Sequence, residues 1–440
     1  MQWPQSLMNW RNSMKFTTIT LGCKVNLYET ESLTSFLENK GWICSDENVD
    51  VCIINTCTVT STSDQKSRQM IRQARRNHPS AIIVAMGCFV QTHENAALEI
   101  ADITIGTKNR LQVYELVSEY IKTKEQINQV FDINTYTTYD EMKLEKLSNH
   151  TRGFIKIQDG CENFCSYCLI PYARGKIKSR DPKNVIDEIN KLVELGTKEI
   201  IIAGINTGTY GQDLGNINLA KLIEMIMENT SLYRLRLSSI ELMEVSDELL
   251  SVMKKYENRI ANHLHIPLQG GCDNTLVRMK RKYKTDEYIN LIKKIRTIFP
   301  DIAITTDCLC GFVGETEKDF NDSLEFIQKI KFTSMHVFPY SRRKGTVADE
   351  MTGHLDGGLI KERARIMIRV AAQMKKEYEE QFINKEFEVL FEQKKNEYWI
   401  GHTSNYLEVY LESSKELTNI VLKCKITKMK NNKLIVEEVK

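Results

Sequence analysis

A short run of β-branched and apolar residues followed by a helical stretch recurs six times after Gly153, and this alternation limits the fold more than any other feature of the chain. The strand candidates are Phe154 to Gln158, Glu199 to Ala203, Arg234 to Ser238, His263 to Leu268, Ala303 to Asp307 and Met335 to Phe338. Between them, Asn184 to Leu195, Lys221 to Met227, Asp286 to Ile298 and Lys318 to Ile330 carry apolar residues three and four apart, the helical spacing. Strands joined through helices run parallel, so the pattern predicts a partial (β/α)6 barrel with its chemistry on the loops at the strand C-termini.

Just past the first of these strands stands Gly160-Cys161-Glu162-Asn163-Phe164-Cys165-Ser166-Tyr167-Cys168, a C-x3-C-x2-C run. Cuboidal 4Fe-4S clusters normally take four thiolates, so three cysteines this close can hold three irons and leave the fourth open to a ligand. Zinc prefers two C-x2-4-C pairs or a histidine as fourth ligand, and no second pair follows at finger-like spacing. Tyr167 is placed to pack on an adenine ring or to cover the cluster.

From Lys15 to about Gly106 a smaller α/β unit with a parallel sheet is expected, with strands at Phe16 to Leu21, Val51 to Asn55, Ile82 to Met86 and Ile103 to Ile105. Each of the first three is followed by a turn that delivers one cysteine: Cys23, Cys57 and Cys88. Ligands of open α/β sheets sit beyond the strand C-termini, so these three can converge although they lie far apart in sequence. Of the twelve cysteines, too few and scattered for a disulfide scaffold, Cys44, Cys52, Cys272 and Cys424 read as structural, and Cys308 and Cys310 as packing on one side of a strand.

Between Cys57 and Cys88, a helix would align Arg68, Arg72, Arg75 and Arg76 into a basic ridge suited to phosphates or simply to water. The whole chain gives no such hint, with 60 basic against 58 acidic side chains. A long charged helix, roughly Gly358 to Gln381, precedes period-two runs that predict a five-stranded β-barrel of a kind that often holds nucleic acid. Ten lysines against nine glutamates over residues 384–440 do not make that module strongly basic.

No run reaches the roughly 18 apolar residues of a membrane span, and the N-terminus lacks an export signal, so a cytoplasmic protein without membrane contact is expected. The domains expected are 14–122 for the small parallel-sheet unit, 123–150 as a linker, 151–381 for the barrel and 382–440 for the β-module. Residues 1–13 read as an upstream extension.

Together these motifs resemble the radical S-adenosylmethionine methylthiotransferases, over nearly the whole chain from Lys15 to Val439. The resemblance implies that Cys161, Cys165 and Cys168 bind a 4Fe-4S cluster whose open iron chelates S-adenosylmethionine, and that Cys23, Cys57 and Cys88 hold a second, auxiliary 4Fe-4S cluster. Gly204-Ile205-Asn206, Ser238-Ser239-Ile240-Glu241 and His263 to Gln269 are further matches, which make Gly204, Asn206, Ser238, Glu241 and Gln269, with Tyr167, the implied cofactor contacts. The C-terminal barrel is similar to the family's RNA-binding TRAM module. Cys23-Lys24-Val25-Asn26 and Phe338 to Thr346 look most like the branch that methylthiolates C2 of N6-threonylcarbamoyladenosine in tRNA, next to the anticodon (position 37). The isopentenyladenosine and ribosomal-protein branches are the alternatives, and an RNA-binding iron-sulfur sensor is the alternative of another class.

The expected partners are tRNA, bound by Arg68, Arg72, Arg75, Arg76, Arg342, Arg343 and Lys344, a one-electron donor such as flavodoxin or ferredoxin, and an unidentified sulfur donor. The sequence departs from the family pattern at Leu242, at Gly270-Gly271-Cys272 and at Cys308-Leu309-Cys310.

Overall fold

The structure, a computed structural model, describes residues 13–144 and 151–439. The expected extension falls, but for Ser13, outside the described residues, as does 145–150 of the expected linker. The chain divides into two compact units. One holds the described part of Met1–Lys146 with Lys156–Asp181 and Ser341–Thr346; the other holds the described part of Leu147–Ile155 with Pro182–Tyr340 and the described part of Val347–Lys440.

In the first unit β1 (Lys15–Thr20), β2 (Ile43–Cys44), β3 (Val51–Thr56), β4 (Ile82–Gly87), β5 (Ile103–Ile105) and β6 (Ile127–Gln129) form one parallel sheet in the order β2-β1-β3-β4-β5-β6. β3 and β4 are buried along their whole length, which is why they read as unbroken apolar runs and not as alternating ones. Helices α1 (Lys24–Asn39), α2 (Ser61–Asn77), α3 (Cys88–Thr92), α4 (Glu94–Leu98) and α5 (Val113–Thr123) connect or follow the strands. Ile71, Ala74 and Phe89 from these helices pack with Cys52, Ile54, Ile83 and Ala85 into one core. Two strands of this sheet were not legible. β2 is two exposed residues at the sheet edge, and β6 lies in the segment expected to be a linker, where one buried residue, Ile127, anchors it.

After β7 (Arg152–Lys156), the antiparallel pair β8 (Gln158–Asp159) and β9 (Lys178–Ser179) brackets the C-x3-C-x2-C loop and helix α6 (Ile170–Arg174). These belong, with Lys156, to the first unit.

The second unit contains α7 (Pro182–Glu194), β10 (Glu199–Ala203), α8 (Leu219–Asn229), β11 (Arg234–Leu237), α9 (Asp247–Lys255), β12 (His263–His265), α10 (Asp273–Arg278), α11 (Thr285–Ile298), β13 (Ala303–Cys310), α12 (Glu317–Ile330) and β14 (Ser334–Pro339). The strands form two three-stranded ladders, β11-β10-β7 and β12-β13-β14, and the parallel bridges Leu235–Ile260 and Ser239–His265 join them. The order is that of the sequence, as an open (β/α)6 barrel requires. Helix α13 (Val347–Glu350) and the long α14 (Gly357–Glu380) lead to β15 (Glu386–Lys395), β16 (Tyr398–Thr403), β17 (Glu408–Glu412), β18 (Ile420–Lys430) and β19 (Lys433–Glu438). These five strands close into a barrel, β15-β16-β17-β19-β18, around Val389, Phe391, Trp399, Val409, Cys424 and Leu434.

Candidate active site

The strand order 2-1-3-4-5 places a topological switch between β1 and β3, and the crevice beyond the strand C-termini at such a switch is where ligands bind. Cys23 follows β1, Cys57 follows β3 and Cys88 opens α3 directly after β4. The register aligns these ends, with Thr20 opposite Asn55 and Thr56 opposite Gly87. The turns touch. A Cβ on Gly22, whose φ is +102°, would stand 2.8 Å from both Cβ and Sγ of Cys57, so only glycine lets the Cys23 turn approach that closely. Asn26 ties the two turns by donating to the Leu21 and Thr56 carbonyls at 2.7 and 2.9 Å. Cys57 and Cys88 are buried and Cys23 is exposed.

Burial pushes the Cys57 thiol up and the Cys88 thiol to about 11, so a metal that binds there has to displace protons. Among the described residues no three histidine, cysteine or carboxylate side chains close around a single metal ion. The donor set itself, three thiols with a cationic neighbour, fits a thiolate-held cluster. That neighbour is Arg174, whose Nε donates to Cys88 Sγ at 3.2 Å.

Cys161, Cys165 and Cys168 sit half-buried in the same unit. The Cys161 N–H donates to the Gly175 carbonyl, the Cys168 N–H to the Cys165 carbonyl, and the Ile170 N–H to Cys168 Sγ at 3.4 Å. Gly160, at φ +83°, lets the chain enter the loop; a Cβ there would come within 1.8 Å of the Lys176 carbonyl oxygen. Phe164 is exposed and meets Tyr172 edge-on.

The other implied cofactor contacts lie in the second unit, past the ends of β10, β11 and β12. Gly204 follows β10. Ser238 Oγ shares a 2.8 Å hydrogen bond with Thr207, and the Asn206 amide donates to Glu244 at 2.9 Å. Glu244 also accepts from the Glu241 N–H at 3.3 Å, and Glu241 pairs with Arg281. The Tyr283 hydroxyl, within 3.4 Å of Arg281, donates to the Leu268 carbonyl next to Gln269, which takes a left-handed φ of +60°. One polar chain therefore runs from Asn206 to the Leu268 carbonyl, beside Gln269. Glu244, Arg281 and Tyr283 were missed in the sequence; only the spacing of Glu244, three residues after Glu241, hinted at its capping role.

The basic residues divide. Arg68, Arg72 and Arg76 line a shallow depression on α2 with Gln65 and Gln69, and Arg342 and Lys344 are exposed. Arg75 instead binds Asp102 at 2.6 Å and the Ala81 carbonyl at 2.9 Å. The expectation for Arg343 needs correction, because it is 4% exposed and held by Thr58 at 2.8 Å and Asp64 at 2.9 Å, beside the Cys57 turn. An arginine buried on a carboxylate is not a surface phosphate contact. In the C-terminal barrel, strand alternation exposes Lys423, Lys425, Lys428 and Lys430 along β18. Glu386 pairs with Lys423 and Glu437 lies opposite Lys425, while Lys430 lies opposite Lys433, which stands 4.8 Å from the Tyr410 ring. The basic character thus collects at the β18–β19 hairpin.

Two family models match the chain: the Radical SAM superfamily over residues 155–327 and Uncharacterized protein family UPF0004 over residues 15–106. The threonylcarbamoyladenosine tRNA methylthiotransferase MtaB of Bacillus subtilis (strain 168) is 39% identical over 419 residues, 93% of each chain. A tRNA-2-methylthio-N(6)-dimethylallyladenosine synthase of Lachnoclostridium phytofermentans is 31% identical over 95% of this chain and 94% of its own. Among solved structures, the radical S-adenosylmethionine methyltransferase TsrM from Kitasatospora setae, with cobalamin and a [4Fe-4S] cluster bound, superposes with a TM-score of 0.55 at 16% identity, covering 77% of each chain. That likeness concerns the fold.

Proposed function

This chain belongs to the radical S-adenosylmethionine tRNA methylthiotransferases, and we propose that it methylthiolates C2 of N6-threonylcarbamoyladenosine in tRNA using two 4Fe-4S clusters. The observation that carries the reading is the grouping of cysteines. Cys23, Cys57 and Cys88 follow the aligned C-terminal ends of three neighbouring strands, and Cys161, Cys165 and Cys168 occupy one loop of the same compact unit. The greater identity to MtaB than to the dimethylallyladenosine enzyme supports the choice of base.

A purine C2–H is neither acidic enough for a side-chain base nor attached to a leaving group, so polar catalysis is unsuited to it. When bound, the clusters and S-adenosylmethionine supply the radical that removes a hydrogen and the methylthio group that replaces it. The chain's own residues bind and shield. Asn206, Ser238, Glu241 and Gln269 offer polar contacts to the cofactor, and Glu244 and Arg281 fix Asn206 and Glu241 in place. In the first unit Arg68, Arg72, Arg76 and Arg342 offer phosphate contacts to tRNA, and in the second the β18–β19 hairpin offers basic and stacking contacts of its own. No described helix is long and apolar enough to cross a membrane, and tRNA as substrate implies a cytoplasmic setting and a soluble one-electron donor of the flavodoxin or ferredoxin type.

Nucleoside mass spectrometry of tRNA from a strain lacking this protein tests the reading. The 2-methylthio derivative of N6-threonylcarbamoyladenosine should disappear and return on complementation. Loss of the methylthio group from isopentenyladenosine instead would move the enzyme to the other tRNA branch, and an unchanged nucleoside profile would refute tRNA modification.

A further inference from the structure

Behind Cys88 lies a buried group of charges that the reaction as described does not use. Glu29 pairs with Arg110 at 3.0 Å, Lys156 at 2.7 Å and Arg174 at 2.6 Å; Asp159 pairs with Lys156 at 2.7 Å, Arg174 at 3.5 Å and Lys108 at 3.5 Å. All six side chains are 4% exposed or less. Among the described residues four cations thus pair with these two carboxylates, and a fifth buried one, Lys178, donates to the Arg174 carbonyl at 3.2 Å. Asp140, which also acts on Lys108, is half-buried and accepts from the Asn109 N–H.

A surplus of buried positive charge is costly unless an anion answers it. The strain shows in Lys108, which burial holds down at about 8 although Asp159 opposes this, and whose amine makes no hydrogen bond. Among the described residues, Arg174 also reaches the Asn26 amide oxygen at 2.8 Å and Cys88 Sγ at 3.2 Å, and Lys156 stands 5.4 Å from the Tyr139 ring, so the thiol is the acidic group beyond the two carboxylates that Arg174 touches. Thiolates holding an iron-sulfur cluster would supply the missing negative charge.

We propose that Arg174 is a positioning residue for Cys88 and that the cation surplus behind it raises the reduction potential of the cluster held by Cys23, Cys57 and Cys88. This rests on the two-cluster reading above. Cluster potentials follow net charge and hydrogen bonds to the sulfurs, and Arg174 contributes both. It also ends the five-residue helix α6, whose first N–H donates to Cys168 Sγ, so one rigid turn of chain contacts a cysteine of each set.

The test uses the full chain with Cys161, Cys165 and Cys168 changed to alanine, so that only the auxiliary cluster loads, and measures its midpoint potential by anaerobic titration followed by electron paramagnetic resonance. Arg174→Gln removes a charge and a donor and should lower the potential by at least tenfold in the oxidised-to-reduced ratio, about 59 mV for one electron. Glu29→Gln removes an anion and should raise it. Opposite signs are the signature, since mere loosening of the fold would move both variants alike. If Arg174→Gln fails to fold, the direction of the Glu29→Gln shift decides alone. Unchanged potentials, or shifts of one sign, in chains that do hold iron would overturn this proposal and leave the two-cluster reading standing. A parent variant that binds no iron would overturn that reading and this proposal with it.

Discussion

A carboxyl buried beside another carboxyl resists ionisation, and Glu244 stands in that position. Burial pushes it up to about 7, aided by Glu241, against the hydrogen bonds it accepts from Asn206 and from the Glu241 N–H. The folded chain therefore keeps this proton up to about pH 7, whereas an unfolded chain releases it near 4.5. The folded state binds more protons across that window, so stability contributed here falls as the pH rises through it. Glu244→Gln should make the protein more resistant to urea than the parent by about 1–3 kcal/mol at pH 8, with little difference at pH 4.5. Equal urea midpoints for parent and variant at pH 8 would show that Glu244 ionises normally. The cysteines divide by product. Cys165→Ala should abolish 5'-deoxyadenosine formation, while Cys57→Ala should stop methylthiolation and leave cofactor cleavage in place. Chromatography of both products from anaerobic turnovers checks this, and methylthiolated tRNA from the Cys57 variant would remove Cys57 from the pathway.

Helix α2 begins with Thr60 accepting from the Ser63 N–H and turns Ile71 and Ala74 inward, which leaves Arg72 and Arg76 exposed one turn apart. If that ridge binds tRNA, Arg72→Glu with Arg76→Glu should weaken binding and reduce the slope of log affinity against log salt by about 1–2. Filter binding across a salt series measures both, and an unchanged slope would show the ridge to be only solvated. The same helix shows what a sequence reveals. The three- and four-residue spacing of its arginines pointed to it, and strand runs such as Glu199–Ala203 and Ile103–Ile105 were legible to the residue because their burial is continuous. β2 and β6 escaped because their two and three residues carry too little periodicity to register. Which arginines face water was not legible either. Arg75 and Arg343 look like surface charges in the sequence, and only the fold brings Asp102 and Asp64 to them.

At the scale of the whole chain, convergence of residues far apart in sequence was predictable where topology enforces it and invisible where packing does. Cys23, Cys57 and Cys88 meet because parallel strands end together, a consequence of the βαβ pattern. Arg174 reaches Cys88, and Glu29 reaches Lys156, because buried charges need partners, and no local pattern announces a buried arginine. The same burial leads to a stoichiometric test. If both cysteine sets hold cuboidal clusters, anaerobically loaded protein should contain about eight irons per chain, and changing Cys161, Cys165 and Cys168 to alanine should leave about four. Changing Cys23, Cys57 and Cys88 instead should also leave about four, but should cost more stability, because it would leave the cation surplus around Glu29 and Asp159 without its anion. Iron analysis with thermal unfolding of the two triple variants separates these expectations: equal melting temperatures would mean that the buried charges do not sense the cluster, and about four irons in the fully loaded parent would mean that one cysteine set holds none.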